Sequence, residues 1–180
     1  MKVAVILANG FEEIEAISVV DLLRRAGIDA KFLGLEKKCV TGSHGVEIIA
    51  DDLLVNLDIN EYEMIVLPGG LPGAEHLAKS EKLGEILRKF DKAGKKIGAI
   101  CAAPWALGTA GVLKDSYTCY PGFEGTVAHA GYTASANVII DKNIITSRGP
   151  ATAMEFALTI VRELKGEQAF SALKSELLFN

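Results

Sequence analysis

The sequence predicts an α/β fold built on a mostly parallel β-sheet with helices on both faces. Three observations carry this. Lys2–Ala8 (apolar from Val3), Met64–Leu67 and Ile97–Ile100 are unbroken runs of strand length, the pattern of strands buried on both faces. Helical spacing recurs between them, so β and α segments alternate. No linker, repeat or low-complexity segment interrupts the 180 residues, which suits a single domain over residues 1–180.

Taken in order, Lys2–Ala8 is the first strand, and Asn9-Gly10 turns the chain into a helix over Phe11–Ala26 that Gly27 stops at the C′ position. At 100° per residue, Glu15 shares a stripe with Phe11, Ser18, Val19 and Leu22, whereas Glu13 falls elsewhere and complements the helix dipole. The opposite side carries Ile14, Ile17 and Val20, so this helix is expected to be covered on two sides. Ala30–Gly34 is the second strand and completes a βαβ unit. Lys37–Ala50 reads as a hairpin turning at Gly42-Ser43-His44-Gly45, with His44 a solvated loop residue, and 51–61 as a polar connection. Met64–Leu67 ends in Pro68-Gly69-Gly70-Leu71-Pro72-Gly73; Ser80 caps a helix through Asp91 with Leu83, Ile86, Leu87 and Phe90 inward. After Ile97–Ile100, Cys101 leads into a helix opened by Ala102, Ala103 and Pro104, since proline suits a first helical turn. Residues 111–131 are irregular and rich in glycine and aromatics. Val138–Ile140 and Ile144–Thr146 flank Asp141-Lys142-Asn143 as a hairpin. A helix over Ala151–Lys165 stops at Gly166, and an amphipathic helix carrying Phe170, Leu173 and Leu177 follows.

Composition narrows the function classes. A net charge of −4 and a pI near 5.4 give no electrostatic basis for binding nucleic acid or an anionic membrane. The apolar start is too short for a membrane span and lacks a small-residue cleavage pattern, so the protein is expected to be cytoplasmic. Cys39, Cys101 and Cys119 form no CxxC and leave one thiol over in any disulfide scheme, which suits a reducing compartment. His44, His76 and His129 are scattered without HExxH or HxH, and neither a metal nor another cofactor is expected.

The residues that bear chemistry sit where strands end. Cys101 occupies a strand-to-helix turn, where its sulfur would stand above the sheet and face unpaired helix N–H groups. Those amides are expected to lower the thiol pKa from about 8.5. The turn is similar to the nucleophile elbow of α/β hydrolases; a structural buried cysteine fits the same stretch. Gly69-Gly70 follows a strand directly, so its backbone can approach a ligand and offer N–H groups to an anion. Glu15, on an apolar stripe, should have a raised pKa.

Glu15, Leu67-Pro68-Gly69-Gly70, Ala99-Ile100-Cys101-Ala102 and Thr146-Ser147-Arg148-Gly149-Pro150 together resemble the ThiJ/PfpI superfamily, on its DJ-one-like (protein deglycase) branch, over essentially the whole chain. The resemblance implies a flavodoxin-like three-layer sandwich of the class I glutamine amidotransferase type and a homodimer through the Phe11–Ala26 helix. It also implies a reactive Cys101 hydrogen-bonded to Glu15, and an oxyanion site made by the amides of Gly70 and Ala102. Gly69, Tyr120, Pro121 and Arg148 are the expected pocket residues. PfpI-type peptidases carry histidine directly after the cysteine, where this chain has Ala102. Glutamine amidotransferases need His-x-Glu, which no histidine here begins. The deglycase branch often has histidine where Tyr120 precedes Pro121.

The function expected is a cofactor-independent glyoxalase or deglycase acting on methylglyoxal-type dicarbonyls or their adducts. Cys101 would be the nucleophile and Glu15 the proton shuttle. An oxidative-stress sensor or chaperone using the same cysteine is the alternative. An intracellular cysteine peptidase is demoted by Ala102.

Overall fold

The computed structural model describes residues 1–179. Its strands are β1 (Lys2–Leu7), β2 (Asp29–Gly34), β3 (Cys39–Thr41), β4 (Glu47–Ile49), β5 (Asp52–Leu53), β6 (Met64–Leu67), β7 (Lys96–Ile100), β8 (Val138–Asp141) and β9 (Ile144–Ser147). Its α-helices are α1 (Glu13–Arg25), α2 (Gly73–Lys79), α3 (Glu81–Lys92), α4 (Pro104–Ala110), α5 (Glu124–Val127), α6 (Ala153–Lys165) and α7 (Glu167–Glu176). Seven strands form one sheet in the order β5-β2-β1-β6-β7-β9-β8, and β3 and β4 pair separately as the hairpin. Every pairing in the large sheet is parallel except β8 with β9. This is a flavodoxin-like architecture. The chain leaves β1 towards β2 on one side and returns to β6 on the other, which opens a crevice at the C-terminal ends of β1 and β6.

Each central strand feeds two cores. From β6, Ile65 and Leu67 join Leu83, Leu87, Phe90 and Leu107 on the face covered by α2, α3 and α4. Met64 and Val66 point the other way, onto Val19, Leu23, Phe156 and Ile160 of α1 and α6. Continuous apolar runs are therefore what two-sided burial requires. Gly98 leaves room for this second core, since a Cβ there would stand 2.8 Å from Met64 Cε and 3.0 Å from Phe156 Cζ.

The structure corrects several boundaries. Helix α1 begins at Glu13, not Phe11, because Glu12 is extended (φ −80, ψ 116) and stands as the N-cap, its carbonyl accepting from Ala16 N–H while its own N–H donates to the Gly69 carbonyl. Val20 is buried within the chain's own second core, whereas Ile14 and Ile17 are 56% and 44% exposed. Residues 73–79 form a helix, and 52–53 add an edge strand within the expected polar connection. Ser80 caps α3 as expected, accepting from Leu83 N–H at 3.2 Å. No helix among the described residues is long and apolar enough to cross a membrane.

Candidate active site

Cys101 stands one residue beyond the end of β7 in left-handed backbone, with φ +63. Such a conformation costs roughly 1–2 kcal/mol for a non-glycine residue. The neighbours impose it. Cys101 N–H donates to the Ser147 carbonyl at 2.9 Å, Tyr120 N–H donates to the Cys101 carbonyl at 2.8 Å, and Ala103 N–H returns to Ile100 at 3.0 Å. The side chain is left half-buried above the sheet.

Glu15 comes up from the first turn of α1 and is fully buried. Its Oε2 accepts from Gly69 N–H at 2.7 Å, while Oε1 is buried without a conventional partner. The Cys101 side chain lies across Gly69 from this carboxyl, close enough for each group to shift the other's pKa. Burial raises the Glu15 pKa to about 7, against the smaller pull of the Gly69 amide and the thiol. The thiol is itself raised, by burial first and then by Glu15, with the Gly70 and Ala102 amides acting the other way. This reverses the expected lowering. Burial, with a carboxylate beside the sulfur, outweighs two amides, and α4, beginning only at Pro104, has a short dipole. Carboxyl and thiol are therefore a coupled pair, in which a second negative charge is strongly disfavoured.

Two glycines make this contact possible. A Cβ at Gly69 would stand 2.7 Å from Cys101 Cβ and 2.9 Å from Glu15 Oε2. At Gly70, φ is +87 and a Cβ would fall 2.4 Å from Glu12 N. That conformation sends the Gly70 amide towards the sulfur, where Ala102 supplies a second.

Tyr120, Pro121 and Arg148 gather with Asn137, Gly149 and Pro150 around a hollow of about 190 Å³ that neither Cys101 nor Gly69 lines. A larger hollow of about 600 Å³, lined by Arg88 and Trp105 between α2, α3 and α4, touches none of these residues. Among the other thiols, Cys39 is exposed, and Cys119 is buried and pushed up to about 12, chiefly by burial.

One constellation escaped the sequence reading. Glu13 is buried, not a surface dipole charge, and accepts from His44 N–H at 2.7 Å, with His44 Nδ1 at 2.9 Å and the Ser43 hydroxyl at 3.2 Å. Burial would raise its carboxyl, yet these bonds bring it down to about 2. His44 is exposed but paired, and its pKa rises. The hairpin turn is thereby clasped onto the start of α1. The helical wheel set Glu13 off the Glu15 stripe and left it only the helix dipole, because it could not include a hairpin folding over that side.

The sequence model of the DJ-1/PfpI family matches residues 1–163. Protein DJ-1 homolog B from Arabidopsis thaliana is 40% identical over 170 residues, covering 93% of this chain and 39% of that relative. This chain thus spans well under half of that relative's length. Glutathione-independent glyoxalase DJR-1.2 from Caenorhabditis elegans is 36% identical over 167 residues, 92% of this chain and 89% of that protein. The crystal structure of Drosophila melanogaster DJ-1beta superposes with a TM-score of 0.95 at 40% identity, covering 99% and 98% of the two chains.

Proposed function

This chain belongs to the DJ-1/PfpI family, and from that premise we propose that it is a cofactor-independent glyoxalase or deglycase whose nucleophile is Cys101. The observation that carries the reading is the buried Glu15 carboxyl, raised to about 7 by burial, set across Gly69 from a thiol on a strained strand-end turn. A relative of similar length is named as a glutathione-independent glyoxalase.

The chemistry balances without an external oxidant. Cys101 Sγ, its proton released to water, attacks the aldehyde carbon of methylglyoxal, forming a C–S bond and an oxyanion that the Gly70 and Ala102 amides hold. Protonation gives a hemithioacetal. Glu15 moves a proton from the former aldehyde carbon to its neighbour while the hemithioacetal hydroxyl proton passes to the ketone oxygen, turning the hemithioacetal into a thioester and the ketone into an alcohol. Water then cleaves the C–S bond, releasing lactate and restoring the thiol. A carboxyl titrating near neutrality can both take and return that proton. On a glycated adduct, the same sulfur would displace the amine.

The test is methylglyoxal turnover by wild type and Cys101→Ser, run beside peptide hydrolysis. Lactate formation lost in Cys101→Ser, with no peptide cleavage, supports the reading. Equal turnover in both proteins, or peptide cleavage that depends on Cys101, overturns it.

Self-association is proposed on a separate observation. Ile14 and Ile17 leave an apolar stripe on α1 uncovered, and burying it against a second copy through the Phe11–Ala26 segment would satisfy it. Light scattering should give about twice the 19.2 kDa chain mass. Association unchanged in Ile14→Glu/Ile17→Glu would place the interface elsewhere.

A further inference from the structure

Arg148 is a permanent cation with no anion beside it among the described residues. Among the described residues no carboxylate lies within 4.0 Å of its guanidinium, whereas Arg24 finds Asp51 and Arg25 finds Asp21; Arg88 and Arg162 lack one too, but both are exposed to water, while Arg148 is partly buried. Its Nε is moreover buried without any acceptor. Buried donors on charged groups are rarely left so, and such an orphan points to a partner that arrives from outside. The residue lines the hollow of about 190 Å³, whose other walls are largely apolar: Tyr120, Pro121, Pro150 and Ala151. Gly149 lies under the tyrosine, since a Cβ there would stand 3.2 Å from Tyr120 Cδ2.

Position ties this hollow to the thiol. Ile100 and Ser147 are register partners on adjacent parallel strands. Cys101 and Arg148 are the next residues on each, and neighbouring strands run about 4.8 Å apart. Tyr120, which walls the hollow, also donates its N–H to the Cys101 carbonyl.

We propose that Arg148 and this hollow form a carboxylate subsite beside Cys101, so that carbonyl compounds carrying a carboxylate on a small apolar body, 2-oxo acids or adducts on amino acids among them, are favoured over neutral ones of equal size. The inference rests on Cys101 being the reacting thiol. A guanidinium fork suits a planar carboxylate and offers nothing comparable to an amide or alcohol in its place. Arg148 acts as a specificity residue, while the bond-making groups remain the sulfur and Glu15.

Iodoacetate and iodoacetamide, nearly identical in size, read this charge preference without any turnover. Labelling is followed by peptide mapping, with exposed Cys39 as the internal reference for intrinsic reagent reactivity. The iodoacetate-to-iodoacetamide rate ratio at Cys101, relative to Cys39, should fall roughly tenfold in Arg148→Gln, the scale of one charge-assisted hydrogen bond. Arg148→Lys should recover part of it. In wild type, propionate should protect Cys101 from iodoacetamide better than propionamide does, a comparison that needs no variant to fold. A ratio unchanged in Arg148→Gln, a Lys variant no better than Gln, or equal protection by the two ligands would overturn the subsite. Absence of any Cys101 labelling by iodoacetamide would instead remove the thiol reading beneath it, and the subsite with it.

Discussion

Glu15 and Cys101 meet only because residue 69 has no side chain. Gly69→Ala would drive a methyl group to 2.7 Å from Cys101 Cβ. It is expected to destabilise the protein by about 1–3 kcal/mol in urea unfolding and to change Cys101 alkylation, whereas Gly125→Ala, in open space, should leave alkylation alone. The raised Glu15 pKa carries a stability consequence whose sign is fixed. A carboxyl at about 7 when folded and about 4.5 when unfolded binds more protons in the native state between those values. Its burial is therefore least costly below pH 4.5, and stability declines as pH rises through 7. Glu15→Gln removes that slope. The variant should gain on wild type by roughly 3 kcal/mol between pH 4.5 and pH 8. Parallel stability curves for the two proteins would mean that Glu15 is not held protonated. At this scale the sequence was informative about identity and not about energy. A glutamate on an apolar stripe and a cysteine after a strand were visible. That burial and the carboxylate outweigh the backbone amides at the sulfur was not, because it depends on two groups 86 residues apart in sequence meeting across Gly69 in a closed site.

The β3–β4 hairpin is anchored to α1 by the Glu13–His44 clasp. Glu13 stands near 2 when folded, below its ordinary 4.5, so it contributes stability above pH 4.5 that is lost as pH falls towards 2. His44 runs the opposite way, being raised by Glu13, and its contribution fades as pH climbs through its folded pKa. Glu13→Gln should lower stability at pH 6 by about 1–3 kcal/mol and flatten the acid limb of the stability profile. An unchanged acid limb would show the clasp to be absent in solution. Strands and long helices were legible here because their apolar periods are long. The seven-residue α2 and two-residue β5 were not, since neither is long enough to display a period. The clasp was missed for a different reason: it joins a helix start to a loop tip through one buried carboxylate.

The whole molecule sets the site by sheet order. The ends of β1, β6, β7 and β9 lie on one edge, which brings residues 8–15, 69–70, 101–102 and 147–148 together. This convergence is a property of parallel topology, and the alternation of apolar runs with helical spacing already implied it. Topology also separates stability from chemistry. Phe90 is fully buried on the α3 side of the sheet, in the core that excludes Cys101. Phe90→Ala should lower stability by about 3–5 kcal/mol while the Cys101 alkylation rate, measured where the variant is folded, stays near wild type. A large change in that rate would mean that the two faces are more tightly coupled than the packing implies.

The central claim is that Glu15 moves a proton in the reaction and does not merely support a reactive thiol. It is tested most directly by measuring iodoacetamide labelling of Cys101 and methylglyoxal turnover side by side in wild type and Glu15→Gln. Glutamine can still donate a hydrogen bond to the sulfur but can neither give up nor regain a proton. Labelling should therefore survive while turnover falls by roughly 10²–10⁴-fold. Turnover that simply follows labelling, both unchanged or both reduced by the same factor, would contradict it.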